Sequence, residues 1–246
     1  MWTAASFHNR SHLIREVIFD LDGTLLDSLP GVEWSVAQAF AACGLPPMRD
    51  TLRPFLGPPI RAIMQHVAPV ASDAELDRVE RAFRASYDSE GWRMTLCYEG
   101  AIGVLRQLLN YGVRLWVATN KNCLPTGKIL RELRLDSFFE KVVCRDSRTP
   151  PFSSKGEMLA FLVGTHNLCV RECVMVGDTK EDWDAAVYAG VTGILMEHGY
   201  GAGLKRHMSA GCLLAPDWNN LLEILAAAEK STAERLKNEH DRSRYF

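Results

Sequence analysis

Short apolar runs that break off at polar residues recur along this chain, and they restrict its fold more than any other feature. The first is Val17-Ile18-Phe19, with Arg15 and Glu16 before it and Asp20 after it. Three bulky apolar residues in a row, with no polar alternation, read as a strand buried on both faces. Further strands are expected over Val113 to Ala118, Lys141 to Cys144, Cys173 to Val176, Gly193 to Met196 and Gly211 to Leu214. Helical spacing of apolar residues lies between them, over about 101–111, 125–133, 155–165, 181–189 and 219–229. Gly112 is expected to close the first of these helices. Strands that alternate with helices predict a mainly parallel sheet covered on both faces, an α/β Rossmann-like fold.

Residues 28–97 depart from this pattern. Val32, Val36, Ala39 and Phe40 recur at helical spacing until Gly44-Leu45-Pro46-Pro47. Gly57-Pro58-Pro59 opens a second helix carrying Ile60, Ile63, Met64 and Val67. Ser72-Asp73-Ala74-Glu75 precedes a third, with Leu76, Val79, Ala82, Phe83 and Tyr87 on one side. No segment here alternates like a strand. The expected division is an α/β core of residues 1–27 and 98–246 and a small all-helical domain of residues 28–97, inserted after the first strand.

A length of 246 residues suffices for a substantial core. The net charge of −2 argues against a nucleic-acid or membrane-surface partner, and no apolar run is long enough to span a bilayer. Met1 to Arg15 carries no secretory apolar stretch. The 7 cysteines include no C-x-x-C pair, so zinc is not expected, and scattered thiols point to a reducing cytoplasm. Cys144 and Cys173 read as small core residues. The charged tail from Lys230 either extends the last helix or frays, and no protein partner is evident.

In open α/β sheets, chemistry sits beyond the carboxyl ends of the strands. Asp20 and Asp22 stand there, and residues two apart on a strand share a face. Carboxylates so close repel unless a cation lies between them, and Mg²⁺ bound by carboxylates and a phosphate is the natural one. An ordinary Asp-Gly turn has the same local sequence. Thr119 and Asn120 follow a second strand, where hydroxyl and amide can donate to a phosphoryl oxygen or cap a helix. Lys155 opens a helix, an end that disfavours a cation, so its charge is expected to serve the carboxylates or the phosphoryl group. Lys121 is its rival and Lys128 a weaker one. Gly177-Asp178 ends another strand, and Asp182 opens the next helix. The helix dipole alone accounts for Asp182 but not for Asp178. Asp184 is an alternative to Asp182 that fits the spacing less well.

Phe19-Asp20-Leu21-Asp22-Gly23-Thr24-Leu25 resembles the first motif of the haloacid dehalogenase superfamily, most of whose members are Mg²⁺-dependent phosphatases. Thr119 resembles the second motif. Lys155 resembles the third, although Gly156 follows where many members have proline. Gly177-Asp178-x-x-x-Asp182 resembles the fourth, and Glu197-His198-Gly199-Tyr200-Gly201 a later segment. The resemblance implies that Asp20 is the nucleophile, forming an aspartyl-phosphate, and that Asp22 is the general acid and base. It implies Mg²⁺ held by Asp20, the backbone carbonyl of Asp22 and Asp178, with Asp182 in support. Thr119, Asn120 and Lys155 would position the phosphoryl oxygens, and His198 is given no catalytic role.

The helical insertion corresponds to the family's cap, with hinges at Asp27-Ser28 and Tyr98-Glu99. Leu56-Gly57-Pro58-Pro59 and Arg53 resemble the specificity region of phosphoglycolate-phosphatase-like members. The implied substrate is a small phosphorylated metabolite, phosphoglycolate first, its carboxylate bound by Arg53, with Arg49 and Arg61 nearby. Asp22 argues against a dehalogenase, and the lack of lysine between 28 and 97 argues against a phosphonate hydrolase. A sugar-phosphate mutase stays open. A phospho-receiver module is a reading from another class, but its acceptor aspartate lies past the first strand and it has no cap. A catalytically silent binding protein on the same fold is a third.

Overall fold

A computed structural model describes residues 14–69, 72–201 and 212–227. The readings made for residues 1–13, for Gly211 and for the tail from Lys230 lie outside the described residues. The strands are β1 (Glu16–Phe19), β2 (Leu26–Asp27), β3 (Leu96–Cys97), β4 (Arg114–Thr119), β5 (Lys141–Cys144), β6 (Cys173–Gly177), β7 (Thr192–Met196) and β8 (Leu213–Ala215). Six of them form one sheet in the order β5-β4-β1-β6-β7-β8, and every pairing in it is parallel. The expected mainly parallel α/β architecture is the one observed.

Why these runs are unbroken by polar residues follows from the layers. Side chains alternate across a strand. Val17 and Phe19, Leu115 and Val117, and Val174 and Val176 face one apolar layer. That layer includes Val104, Leu105 and Leu108 of α4 (Ala101–Asn110), Ile129 and Leu130 of α5 (Cys123–Glu132), and Leu221, Leu222 and Leu225 of a helix that begins at Trp218. Ile18, Trp116, Ala118 and Met175 face the opposite layer, with Met158, Leu159 and Leu162 of α6 (Lys155–Thr165) and Ala185 and Ala186 of α7 (Lys180–Ala189). Each fully buried large apolar side chain contributes roughly 1.5–3 kcal/mol relative to exposure. The buried charge in β1, Glu16, is matched: Arg114 Nε donates to it at 3.0 Å and Trp116 Nε1 at 2.7 Å.

Residues 28–97 form α1 (Leu29–Cys43), α2 (Ile60–Val67) and α3 (Asp73–Ser89). Ser72 caps α3 by accepting from Glu75 N–H at 3.3 Å. The apolar faces of these helices (Val36, Phe40, Met64, Leu76, Val79) join the first core layer. The segment is not wholly helical. β3 lies at its end and pairs antiparallel with β2, Leu26 opposite Cys97 and Asp27 opposite Leu96. Two-residue strands are too short for alternation to register in a sequence. Other boundaries move by one or two residues. β4 starts at Arg114, α5 starts at Cys123, and Gly112 follows Tyr111, which takes the cap position of α4.

Candidate active site

Register brings the site together. Phe19 lies opposite Val117 in β4 and Val176 in β6, so the chain leaves three adjacent strands at one edge of the sheet. Asp20 N–H donates to Val176 O at 2.8 Å, which carries the ladder one residue past β1. Gly23 then turns the chain at φ +91°, where a Cβ would come within 2.4 Å of Asp178 Oδ2. Only glycine lets the loop lie so close to that carboxylate. Thr24 Oγ1 donates to Asp178 Oδ1 at 2.9 Å.

Asp20, Asp178 and Asp182 are buried, and each offers an oxygen within 4.8 Å of the others. Lys155, the first residue of α6, stands between two of them, with Nζ 2.5 Å from both Asp20 Oδ1 and Asp182 Oδ1. Asp182 Oδ2 caps α7, accepting from Asp178 N (3.1 Å), Thr179 N (2.9 Å) and Thr179 Oγ1 (2.7 Å). Asp184 is exposed and paired with Lys180, away from the group.

Three buried carboxylates share one ammonium, and the imbalance shifts their protonation. Burial pushes the Asp20 carboxyl well above the usual range. Lys155 opposes that shift, and Asp182 and Asp178 add to it. Burial and then Asp182 push Asp178 up to about 7, against the Tyr200 N–H and the Thr24 hydroxyl. Burial would raise Asp182 too, but Lys155 and Thr179 together hold it low. Burial would discharge Lys155, but Asp182 and Asp20 outweigh it and keep the ammonium. A buried cluster short of positive charge, with oxygen donors only, fits a hard divalent cation such as Mg²⁺.

Asp22 stands apart from that group. Both its oxygens accept from Lys121 Nζ at 2.9 Å. Lys121, expected as a rival to Lys155, instead serves Asp22, and its Nζ also lies 4.7 Å over the ring of Tyr87 from α3. Burial disfavours the Lys121 ammonium, but Asp22 and Tyr87 outweigh that. Asp20, Asp22, Thr119, Asn120 and Lys121 line a cavity of about 290 Å³, whose other wall includes Val32, Ile60, Ile63 and Phe83 from the helical segment. Thr119 Oγ1 accepts from Lys121 N–H at 3.2 Å, and Asn120 Nδ2 donates to Gly57 O at 3.0 Å. Asn120 Oδ1 is buried without a hydrogen-bond partner among the described residues.

Arg53 does not join them. Its Nη1 donates to Gly199 O at 3.2 Å and its guanidinium lies over the Tyr200 ring, outside the cavity lining. The sequence expects Arg53 to bind substrate, and the structure places it against Gly199 and Tyr200.

Sequence reasoning gave no role to Tyr200 or Tyr87. Tyr200 N–H donates to Asp178 Oδ2 at 2.7 Å. Its hydroxyl accepts from Ser28 N (2.7 Å) and Leu29 N (3.0 Å) and donates to Asp27 Oδ1 (3.0 Å), tying the start of α1 to the acidic group. Its place in the Glu197-to-Gly201 segment was the only local signal. His198 packs between Tyr98 and Trp218, with Nε2 3.0 Å from Thr24 O. Cys123, Cys144 and Asp146 also bring ligand-type atoms within 4.8 Å of one another.

The family model described as haloacid dehalogenase-like hydrolase matches residues 17–196. The chain is 35% identical over 186 residues to a protein named tyrosine-protein kinase PtkA from Mycobacterium tuberculosis. That match covers 75% of this chain and 62% of PtkA, so the chain spans about three-fifths of that relative's length. The solved structure of PtkA superposes with a TM-score of 0.75 at 30% identity, covering 88% of this chain and 99% of the solved one. A phosphoglycolate phosphatase from Pseudomonas putida is 28% identical over 216 residues, 85% of this chain and 79% of that enzyme.

Proposed function

The chain belongs to the haloacid dehalogenase-like hydrolase family, and on that premise we propose that it is a Mg²⁺-dependent phosphatase of a small phosphorylated metabolite. The observation that carries this reading is the buried Asp20–Lys155–Asp182–Asp178 group, whose Asp20 lines one cavity together with Asp22. The phosphoglycolate phosphatase relative supports a small phosphate ester as substrate.

In the proposed reaction, an Asp20 carboxylate oxygen attacks phosphorus, and the bond from phosphorus to the ester oxygen breaks. Asp22 gives its proton to the departing oxygen, and Lys121 keeps its carboxyl aimed into the cavity. Asp22 then takes a proton from the water that cleaves the aspartyl-phosphate, which returns Asp20 and releases phosphate. Thr119, Asn120 and Lys155 hold the phosphoryl oxygens. Asp20, Asp178 and Asp182, with the backbone carbonyl of Asp22, would hold Mg²⁺, which when bound neutralises phosphoryl charge against the attacking carboxylate.

Residues 28–97 act in this reading as a cap over a core of residues 1–27 and 98–246. Support comes from the β2–β3 ladder at their junction and from a cavity walled by both parts. The cap excludes bulk water from the reacting group. A cytoplasmic location accords with seven free cysteines and with the finding that no helix among the described residues is long and apolar enough to cross a membrane.

The test is phosphate release from a generic aryl phosphate. Chelation of Mg²⁺ and Asp20→Asn should each abolish turnover. Asp22→Asn should keep Mg²⁺ bound and slow turnover by roughly 10²–10⁴-fold, the scale of general acid–base catalysis. Equal rates in all samples would sink the mechanism. Ester consumption without matching phosphate release would show transfer to an acceptor other than water.

A further inference from the structure

The cavity's positive charges can be accounted for one by one. Arg61 is spent on the helical segment's own carboxylates, Asp77 at 2.5 Å, Glu80 at 3.1 Å and Asp73 at 3.4 Å. Arg84 pairs with Glu80 at 2.6 Å. Lys121 is held by Asp22. Arg145 lines the same cavity, half-buried, and its side chain has no hydrogen bond or ion pair among the described residues. Its backbone is fixed nonetheless, because it directly follows β5 and its carbonyl accepts from Phe152 N–H at 3.0 Å. The neighbouring carboxylate does not claim it, since Asp146 Oδ1 accepts from Cys123 N–H at 2.7 Å.

A guanidinium fork matches a carboxylate or phosphate through two parallel hydrogen bonds, and such pairs strengthen when water is excluded. In the proposed reaction the phosphoryl group already has its partners in Thr119 and Asn120, which line the cavity, and in Lys155 beside Asp20. We propose that Arg145 selects the substrate, by binding a second anionic group, a carboxylate or a second phosphate, on the leaving group of the ester. This rests on the phosphatase reading and adds to it the chemical class of the leaving group. It also moves selection from the helical segment, where the sequence pointed to Arg53, to a loop of the core.

Two measurements test it. The first is kcat/KM for phenyl phosphate, phosphoglycolate and propane-1,3-diol bisphosphate in wild type, Arg145→Gln and Arg145→Lys. Relative to phenyl phosphate, Arg145→Gln is expected to lower kcat/KM by about 10–100-fold for the ester whose second anion Arg145 binds, mostly through KM. Arg145→Lys should restore part of it, and the ester that falls identifies the anion. Equal falls for all three esters, or none, overturn the proposal.

The second is calorimetric titration of wild type and Arg145→Gln, with Mg²⁺ present, using methylphosphonate, 3-phosphonopropionate and propane-1,3-bisphosphonate. Arg145→Gln should weaken one of the dianionic ligands by about tenfold or more beyond methylphosphonate. If wild type hydrolyses no ester but this selective weakening appears, the phosphatase reading falls and the anion site stands. If esters are hydrolysed and neither measurement shows selectivity, the anion site falls alone. No binding of any phosphonate to wild type overturns both.

Discussion

Asp178 carries a definite pH signature, set by where it is buried. Its carboxyl is pushed from 3.8 up to about 7, first by burial and then by Asp182. In the unfolded chain it is an ordinary carboxyl, so between those two values the folded protein binds the extra proton and the unfolded chain does not. Stability of the metal-free protein from this residue should therefore fall as pH rises from about 4 to about 7. In the proposed function Mg²⁺ competes with that proton, so the stability it adds should be larger near pH 8 than near pH 5. Urea midpoints across that range, with chelator and with Mg²⁺, check both statements. Asp178→Asn should flatten both trends, and a Mg²⁺ increment that ignores pH would contradict them.

Among the elements, α1 shows how one helix is locked in place. Gly31 sits in its first turn, and a Cβ there would meet the Gly91 carbonyl oxygen at 2.1 Å. Alanine normally stabilises a helix over glycine by about 0.5–1 kcal/mol. At Gly31 the sign should reverse, because backbone cannot yield as a flexible side chain does, and overpacking costs about 1–3 kcal/mol. Gly103 in α4 provides the contrast, since a Cβ added there would meet nothing within 4 Å among the described residues. Gly103→Ala should raise the denaturation midpoint and Gly31→Ala should lower it. Two shifts of the same sign would show that propensity, not the α1 contact, governs this helix.

Across the whole molecule, the helical segment is tied to the core by a few polar contacts around the cavity. Asn120 reaches Gly57 O, Lys128 Nζ donates to Asp88 O at 2.6 Å, Arg53 reaches Gly199 O, and the Tyr200 hydroxyl holds the start of α1. Arg53 belongs with these ties. Arg53→Ala removes one hydrogen bond of about 1 kcal/mol and should lower kcat/KM about fivefold for every ester alike. Its ratio between phosphoglycolate and phenyl phosphate should stay at the wild-type value. A selective loss for phosphoglycolate would return Arg53 to the substrate.

The sheet and the positions of Asp20, Asp22, Thr119, Asp178 and Asp182 were legible in the sequence, and the reason is local. An apolar run that stops at a polar residue records both that a strand is buried and where it reaches the sheet edge. Parallel pairing then brings such edges together whatever the intervening chain does. Partnerships across the cavity left no such trace. Lys155 and Lys121 both stood near strand or helix ends, and only the packing of α6 sent one to Asp20 and Asp182 and left the other to Asp22 and Tyr87. Arg53 stood out in the sequence through its place beside Gly57-Pro58-Pro59, and Arg145 did not stand out at all. Only tertiary contacts distinguish them, because they place the Arg53 guanidinium against a backbone carbonyl and leave Arg145 lining the cavity without a hydrogen bond or ion pair among the described residues.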